Sequence, residues 1–129
     1  VNILNCMDTV IVPVAADKVI LESSLAFALK IHEWRTTGRS QVKDMYMLWN
    51  LVDAREKTDL YDQYEAVFED SGLQTLKTRI PDTKKYRREG SKTLNRAVFR
   101  STVIPPDKTL LKGTRLPELT DELLGILKL

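Results

Sequence analysis

The sequence is short of the residues that build covalent or metal-held frameworks. It has one cysteine, Cys6, so no internal disulfide can form. One histidine, His32, beside that cysteine makes a poor metal inventory, and no metal ligand set is expected. Glycine is sparse: Gly38, Gly72, Gly90, Gly113 and Gly125 are the five, and none is followed by lysine. Neither GxxxxGKS/T nor GxGxxG occurs, which excludes both usual backbone cradles for a nucleotide's phosphates. Long apolar runs are also lacking. The longest, Val10 to Ala16, has seven residues including Pro13, whereas a bilayer span needs about 20. No basic-then-apolar leader precedes a small-residue cleavage site. A soluble, disulfide-free, cytoplasmic chain without membrane attachment is expected.

Catalytic constellations are equally thin. His32 lies mid-helix among apolar residues, which suits packing or a surface position better than a general base. Ser23 and Ser24 lack a nucleophile elbow. Glu22 and Asp17 are near in sequence, but nothing fixes the separation that paired carboxylates require. No catalytic residue is expected.

What the chain does have is ordinary globular material. Of its 129 residues 43% are hydrophobic and 29% charged, enough apolar content for one layered core and too much for disorder. The formal net charge of +2 conceals a division. Residues 1–76 carry −5, residues 77–115 carry +9, and residues 116–129 carry −2. A 39-residue stretch at +9 creates a local positive field suited to phosphates, or else forms a solvated face and loop. Tyr86 and Phe99 interleave its cations, but two aromatics do not make a stacking platform.

The pattern of elements is alternating. Val10–Val14 is a β-branched run of the kind found in strands buried on both faces, and Pro13 should end it. Asp17 is placed to cap a helix over Val19–Thr36, whose apolar residues surround most of its circumference and predict burial. Gly38 ends it, and Met45–Trp49 reads as a second strand closing at Asn50. Thr58 looks like an N-cap, followed by Leu60, Tyr64, Val67 and Phe68 at helical spacing, with Gly72 as the left-handed stop. Gln74–Thr78 reads as a third strand, halted by Ile80-Pro81. A basic turn over Lys84–Glu89, a loop holding Pro105-Pro106 and a final helix carrying Leu116, Leu119, Leu123 and Leu127 complete the chain. Strand-helix alternation with long connections predicts an α/β fold: a partial doubly wound parallel sheet of about three strands, then helices. Residues 1–8 read as the tail of a preceding helix. A three-stranded sheet is narrow for this class, so the chain is expected to be a single incomplete domain over 1–129, with an edge or face left bare for self-association.

In open parallel sheets ligands bind beyond the carboxyl ends of the strands. Those ends are Pro13–Asp17, Asn50–Asp53 and Thr78–Thr83. Asn50 offers one acceptor and two donors, suited either to a base edge or to hydrogen-bonding its own turn. Asp53 and Arg55 can pair with each other or stand exposed.

In this order the residues resemble the C-terminal half of the ParA/MinD-type ATPases, the deviant-Walker P-loop group that partitions plasmids and positions cell machinery. Asp8-Thr9-Val10-Ile11-Val12-Pro13-Val14 is similar to that family's D-x-V-I-x-P strand, with Leu21-Glu22 early in the next helix. Leu48–Arg55 is similar to its N-x-x-D-x-R strand end, and Leu76–Pro81 to its T-x-I-P turn. Lys85–Glu89 and Leu119-x-x-Glu122-Leu123-Leu124 match its later turn and closing helix. Trp49-Asn50 and Arg100-Ser101-Thr102 are most similar to ParA-like proteins of conjugative transposons. The resemblance implies that Asn50 contacts the adenine base, that Ile80, Pro81 and Asp82 lie against it, and that Arg55, Lys84, Lys85, Arg87 and Arg88 bind DNA non-specifically. ATP and Mg are the family's cofactors. The Walker A lysines, magnesium ligands and switch aspartate are not in this sequence, and Ser23 or Ser24 stands where many relatives have glycine. This chain alone is therefore expected neither to hold ATP tightly nor to hydrolyse it. Its implied partners are DNA and a protein of the partition or transfer machinery. The other reading is a stand-alone DNA-binding or adaptor module without ATPase activity.

Overall fold

The structure, a computed structural model, describes residues 3–56, 58–87, 105–106 and 108–129. A parallel sheet of three strands forms in sequence order: β1 (Thr9–Val14), β2 (Asp44–Trp49) and β3 (Gln74–Thr75). Helices α1 (Lys18–Thr36) and α2 (Thr58–Asp70) make the two crossovers. Among the described residues three further helices follow: α3 (Lys84–Arg87), α4 (Lys108–Leu111) and α5 (Leu116–Leu127). The α/β alternation expected from the sequence is therefore present.

β1 and β2 pair along their whole length, with Val12 opposite Met47 and Val14 opposite Trp49. Side chains alternate across a strand, so these four residues share one face, where they form the core with Met45. Leu21, Ala28 and Ile31 of α1 and Tyr61 and Phe68 of α2 pack onto that same face. Trp49 is its centre, edge-on to Tyr61 at 4.8 Å and tilted against Phe68 at 5.7 Å. Both crossovers thus cover one side of the sheet. The opposite side presents Ile11, Tyr46 and Leu48, all half-buried, and the exposed Pro13.

Four expectations are corrected. Pro13 does not end β1, which continues through Val14. The carbonyls of Asp8 and Val14 accept from the amides of Asp44 and Asn50, so even-numbered residues face β2. The missing N–H of Pro13 falls on the outer edge, where no ladder bond is lost. The Pro13 carbonyl, turned the same way, accepts from Ser24 Oγ at 3.2 Å.

Second, α1 is capped as expected, with Asp17 Oδ1 accepting from the amides of Val19 and Ile20 at 3.0 Å. It is not buried around its circumference, however. Leu21, Ala28 and Ile31 are buried, while Val19, Ile20, Phe27 and Leu29 are exposed. One stripe meets the sheet, and among the described residues no second layer covers the rest.

Third, β3 stops at Thr75 instead of Thr78, because the chain bulges away from β2 directly afterwards. Fourth, where a helix tail was expected before β1, the described residues form one 3-10 turn over Leu4–Cys6. The stop at Gly72 is as expected. Its φ of +78° ends α2, with Leu73 N–H bonded to the Phe68 carbonyl and Gly72 N–H to that of Glu69, the double bond of a Schellman motif.

Candidate functional site

The carboxyl rim of the sheet is assembled by backbone hydrogen bonds between the ends of β2 and the chain that follows β3. Asn50 N–H donates to the Val14 carbonyl at 2.7 Å, holding the end of β2 against β1. Val52 N–H donates to the Ile80 carbonyl at 3.0 Å, and Asp82 N–H returns to the Val52 carbonyl at 2.9 Å. Val52 and Pro81 form a parallel bridge. Asn50 and the segment Ile80-Pro81-Asp82, separated by 30 positions, are thereby brought to adjacent strand ends. Ile80 is buried, Pro81 half-buried and Asp82 exposed. Asn50 is half-buried, and among the described residues the side-chain hydrogen bond of the turn that follows it is made by Asp53, whose Oδ1 accepts from the Arg55 N–H at 2.9 Å, rather than by the Asn50 carboxamide.

Leu51 follows Asn50 with φ of +53°. A branched side chain in the left-handed region is strained, and here the strain lies at the strand end that turns Asn50 onto the rim. Leu51 itself is half exposed.

The five expected DNA-facing cations have different surroundings. Arg55 is clamped by Asp53 in a two-pronged pair, Nε to Oδ1 at 3.0 Å and NH2 to Oδ2 at 2.8 Å. Hydrogen bonds from the Arg55 guanidinium and backbone hold the Asp53 carboxyl down at about 2. Lys84 is exposed on α3. Lys85 turns inward: its Nζ donates to the carbonyls of Lys112 and Thr109 at the end of α4. Arg87 closes α3, and Arg88 lies outside the described residues.

Residues to which the sequence assigns no role at the site hold this end of the molecule together. Arg79 sits over the Tyr61 ring at 5.2 Å and reaches Asp62 at 3.0 Å and Glu65 at 2.9 Å on α2. Tyr86 Oη donates to the Thr114 carbonyl at 2.5 Å, joining α3 to the turn before α5. Glu122 of α5 accepts from the amides of Lys77 and Thr78 at 2.6 and 2.8 Å. Burial works to raise the Glu122 carboxyl, but these donors and the Lys77 charge outweigh it and leave it below the ordinary carboxylate range. Arg79, Tyr86 and Glu122 carry no local signal, since each partner is 14 or more positions away.

Among the described residues no group of three His, Cys, Asp or Glu side chains is arranged to hold a metal ion. No helix among them is long and apolar enough to cross a membrane. No protein-family model, curated protein or solved structure matches the chain.

Proposed function

We propose that this chain is the adenine-side portion of a ParA-like ATPase that acts in DNA partitioning or conjugative transfer. In this reading the three-stranded sheet belongs to a wider, doubly wound P-loop sheet. The observation that carries the proposal is the juxtaposition of Asn50 with Ile80-Pro81-Asp82 across the Val52–Pro81 bridge. The carboxamide of a half-buried asparagine with no partner among the described residues, at the carboxyl ends of parallel strands, has the donor and acceptor set for a purine edge. Ile80 and Pro81 supply the apolar side against which a base would lie. ATP and Mg are cofactors of the assembled switch in this reading. The chain itself brings base contacts and a DNA-facing basic segment, and has no phosphate loop.

The DNA role rests on the +9 charge of residues 77–115. Binding of that kind is counterion release and falls steeply with salt. Nitrogen-15 spectra of the chain titrated with adenosine test the base site: shifts centred on the Asn50 side-chain amide and the Asp82 amide support it, and an unchanged spectrum at millimolar adenosine removes it. Charge reversal of Lys84, Lys85, Arg87 and Arg88 to Glu should abolish low-salt retention on duplex DNA.

A second reading, a DNA-binding or protein-interaction adaptor without ATPase activity, is favoured by α5. Leu124 and Leu127 on it and Leu129 just after it are exposed, and a groove of about 370 Å³ lined by Pro106, Leu111, Leu116 and Pro117 lies beside it. The half-buried face of Ile11, Tyr46 and Leu48 supports self-association under either reading. Protein binding without any adenosine response would select the adaptor.

A further inference from the structure

The chain after β3 leaves its ladder and rejoins it. Leu76 N–H donates to the Met47 carbonyl at 2.9 Å, and Ile80 N–H donates to the Trp49 carbonyl at 2.8 Å. Two steps along β2 are therefore matched by four along its neighbour, a bulge with two extra residues. Bulges of this kind re-aim side chains and terminate regular pairing. An unbulged strand would give the Trp49 carbonyl to Thr78. Instead, the amides of Lys77 and Thr78 both point at Glu122, whose Oε1 and Oε2 accept at 2.6 and 2.8 Å from 45 and 44 positions away. Thr78 is buried, at 4% exposure, so water does not substitute freely for that carboxylate. α5 contributes no buried residue of its own, which makes the Glu122 carboxylate its principal polar attachment to the sheet.

Two consequences follow from the bulge. Arg79 is swung onto Asp62 and Glu65 of α2. The next three residues are delivered in a register that pairs Ile80 with Trp49 and Asp82 with Val52. A slip of two residues, with Thr78 taking the Trp49 carbonyl, would move Ile80–Asp82 past the rim and separate them from Asn50.

We propose that Glu122 is a positioning residue for the candidate base site: by binding the two amides of the bulge, it fixes the register that sets Ile80-Pro81-Asp82 beside Asn50. Its purpose rests on the adenine-side reading, whereas its geometry does not. Glu122 acts on Ile80–Asp82 through its hydrogen bonds to the amides of Lys77 and Thr78.

The test compares the full chain with Glu122→Gln and Glu122→Ala by amide hydrogen exchange, with adenosine titration and DNA retention measured in parallel. Gln keeps the side-chain shape and one acceptor oxygen and so retains the fold if Ala does not, while its NH2 cannot accept from the second amide. The expected result is exchange faster by about tenfold or more at Lys77 and Thr78 and also at Val52, Ile80 and Asp82. The adenosine response at Asn50 should weaken in step, with DNA retention unchanged. Faster exchange confined to Lys77 and Thr78, with Val52, Ile80 and Asp82 protected as in the parent, overturns the proposal and leaves Glu122 as a cap for α5. If the parent chain gives no adenosine response, the base-site reading fails, and the exchange at Val52, Ile80 and Asp82 still decides whether Glu122 sets the register.

Discussion

Trp49 and Glu65 are joined by a hydrogen bond of 2.9 Å from the indole Nε1–H to Oε1. The same oxygen accepts from Arg79 at 2.9 Å. A fully buried tryptophan on the central strand, a carboxylate on α2 and a guanidinium from the bulge thus share one atom. Burial of Trp49 would be costly if its one donor were unmet, and Glu65 meets it while neutralising Arg79. The sheet, the second crossover and the approach to the rim are fastened at this point.

Glu65→Leu should therefore be far worse than an ordinary surface change. It leaves the indole N–H without its acceptor and Arg79 with Asp62 alone. The expected cost is about 2–4 kcal/mol, from an unsatisfied buried donor and a weakened ion pair. Glu65→Gln keeps an acceptor and should cost roughly 1 kcal/mol. Urea unfolding followed by tryptophan fluorescence measures both. Equal midpoints for the two variants would show that the shared oxygen does not hold the structure together.

Gly72 has two reasons to be glycine. Its φ is +78°, and a Cβ there would meet His32 Nε2 at 3.1 Å and Cε1 at 3.2 Å. His32 Nδ1 is buried without a partner, so the imidazole serves here as a packing surface of α1 against the α2–β3 turn. Gly72→Ala should destabilise by about 1–2 kcal/mol from backbone strain alone, with an added term from the contact. Combining it with His32→Ala separates the two. Thermal unfolding should show the double variant recovering the contact part only; strict additivity would mean that the approach of His32 costs nothing.

Much of this fold is legible in local pattern. The Asp17 cap, Met45–Trp49 and the Gly72 stop each depend on neighbours within a few residues, and each is where the sequence predicts it; the Val10–Val14 run is a strand as predicted but is buried on one face only and runs through Pro13. The errors arise where distant groups intervene. β3 is short because a carboxylate 44 positions later takes the Thr78 amide. Pro13 is tolerated because its missing N–H faces away from β2, on the side of β1 that no strand pairs among the described residues, which no local pattern reveals. α1 is less buried than its apolar content predicts because Val19, Ile20, Phe27 and Leu29 on its outer side meet no second layer among the described residues. Of the candidate site, Asn50 and Ile80–Asp82 are legible in the sequence, while the roles of Arg79 and of Glu122, a residue of the closing-helix motif, depend on partners 14 to 45 positions away.

Lys84 and Lys85 are adjacent in sequence and opposite in surroundings. Lys84 is exposed, whereas the Lys85 ammonium satisfies carbonyls at the end of α4, where a cation is also favoured by the helix dipole. Lys84→Glu should weaken duplex-DNA retention and flatten its salt dependence while leaving Tm unchanged. Lys85→Glu should lower Tm by several degrees through loss of the α3–α4 contact. Differential scanning fluorimetry beside filter binding at two salt concentrations makes the comparison. Identical behaviour of the two variants in both assays would contradict the inward orientation of Lys85.

The Tyr61 hydroxyl gives the clearest pH signature. Burial, and then the Glu56 carboxylate that accepts from its O–H at 2.7 Å, push its ionisation up to about 12, against about 10 for an ordinary tyrosine. The folded state thus favours the neutral phenol more than the unfolded chain does. That preference adds stability in full below pH 10 and is lost progressively as pH rises from 10 to 12. Two units correspond to an effect on the order of 2 kcal/mol. Tyr61→Phe removes the titration, so its stability should be nearly flat over the same interval where the parent falls. Denaturant unfolding at stepped alkaline pH measures the difference. Parallel decline of parent and variant would mean that Tyr61 ionises normally and that Glu56 does not hold its proton.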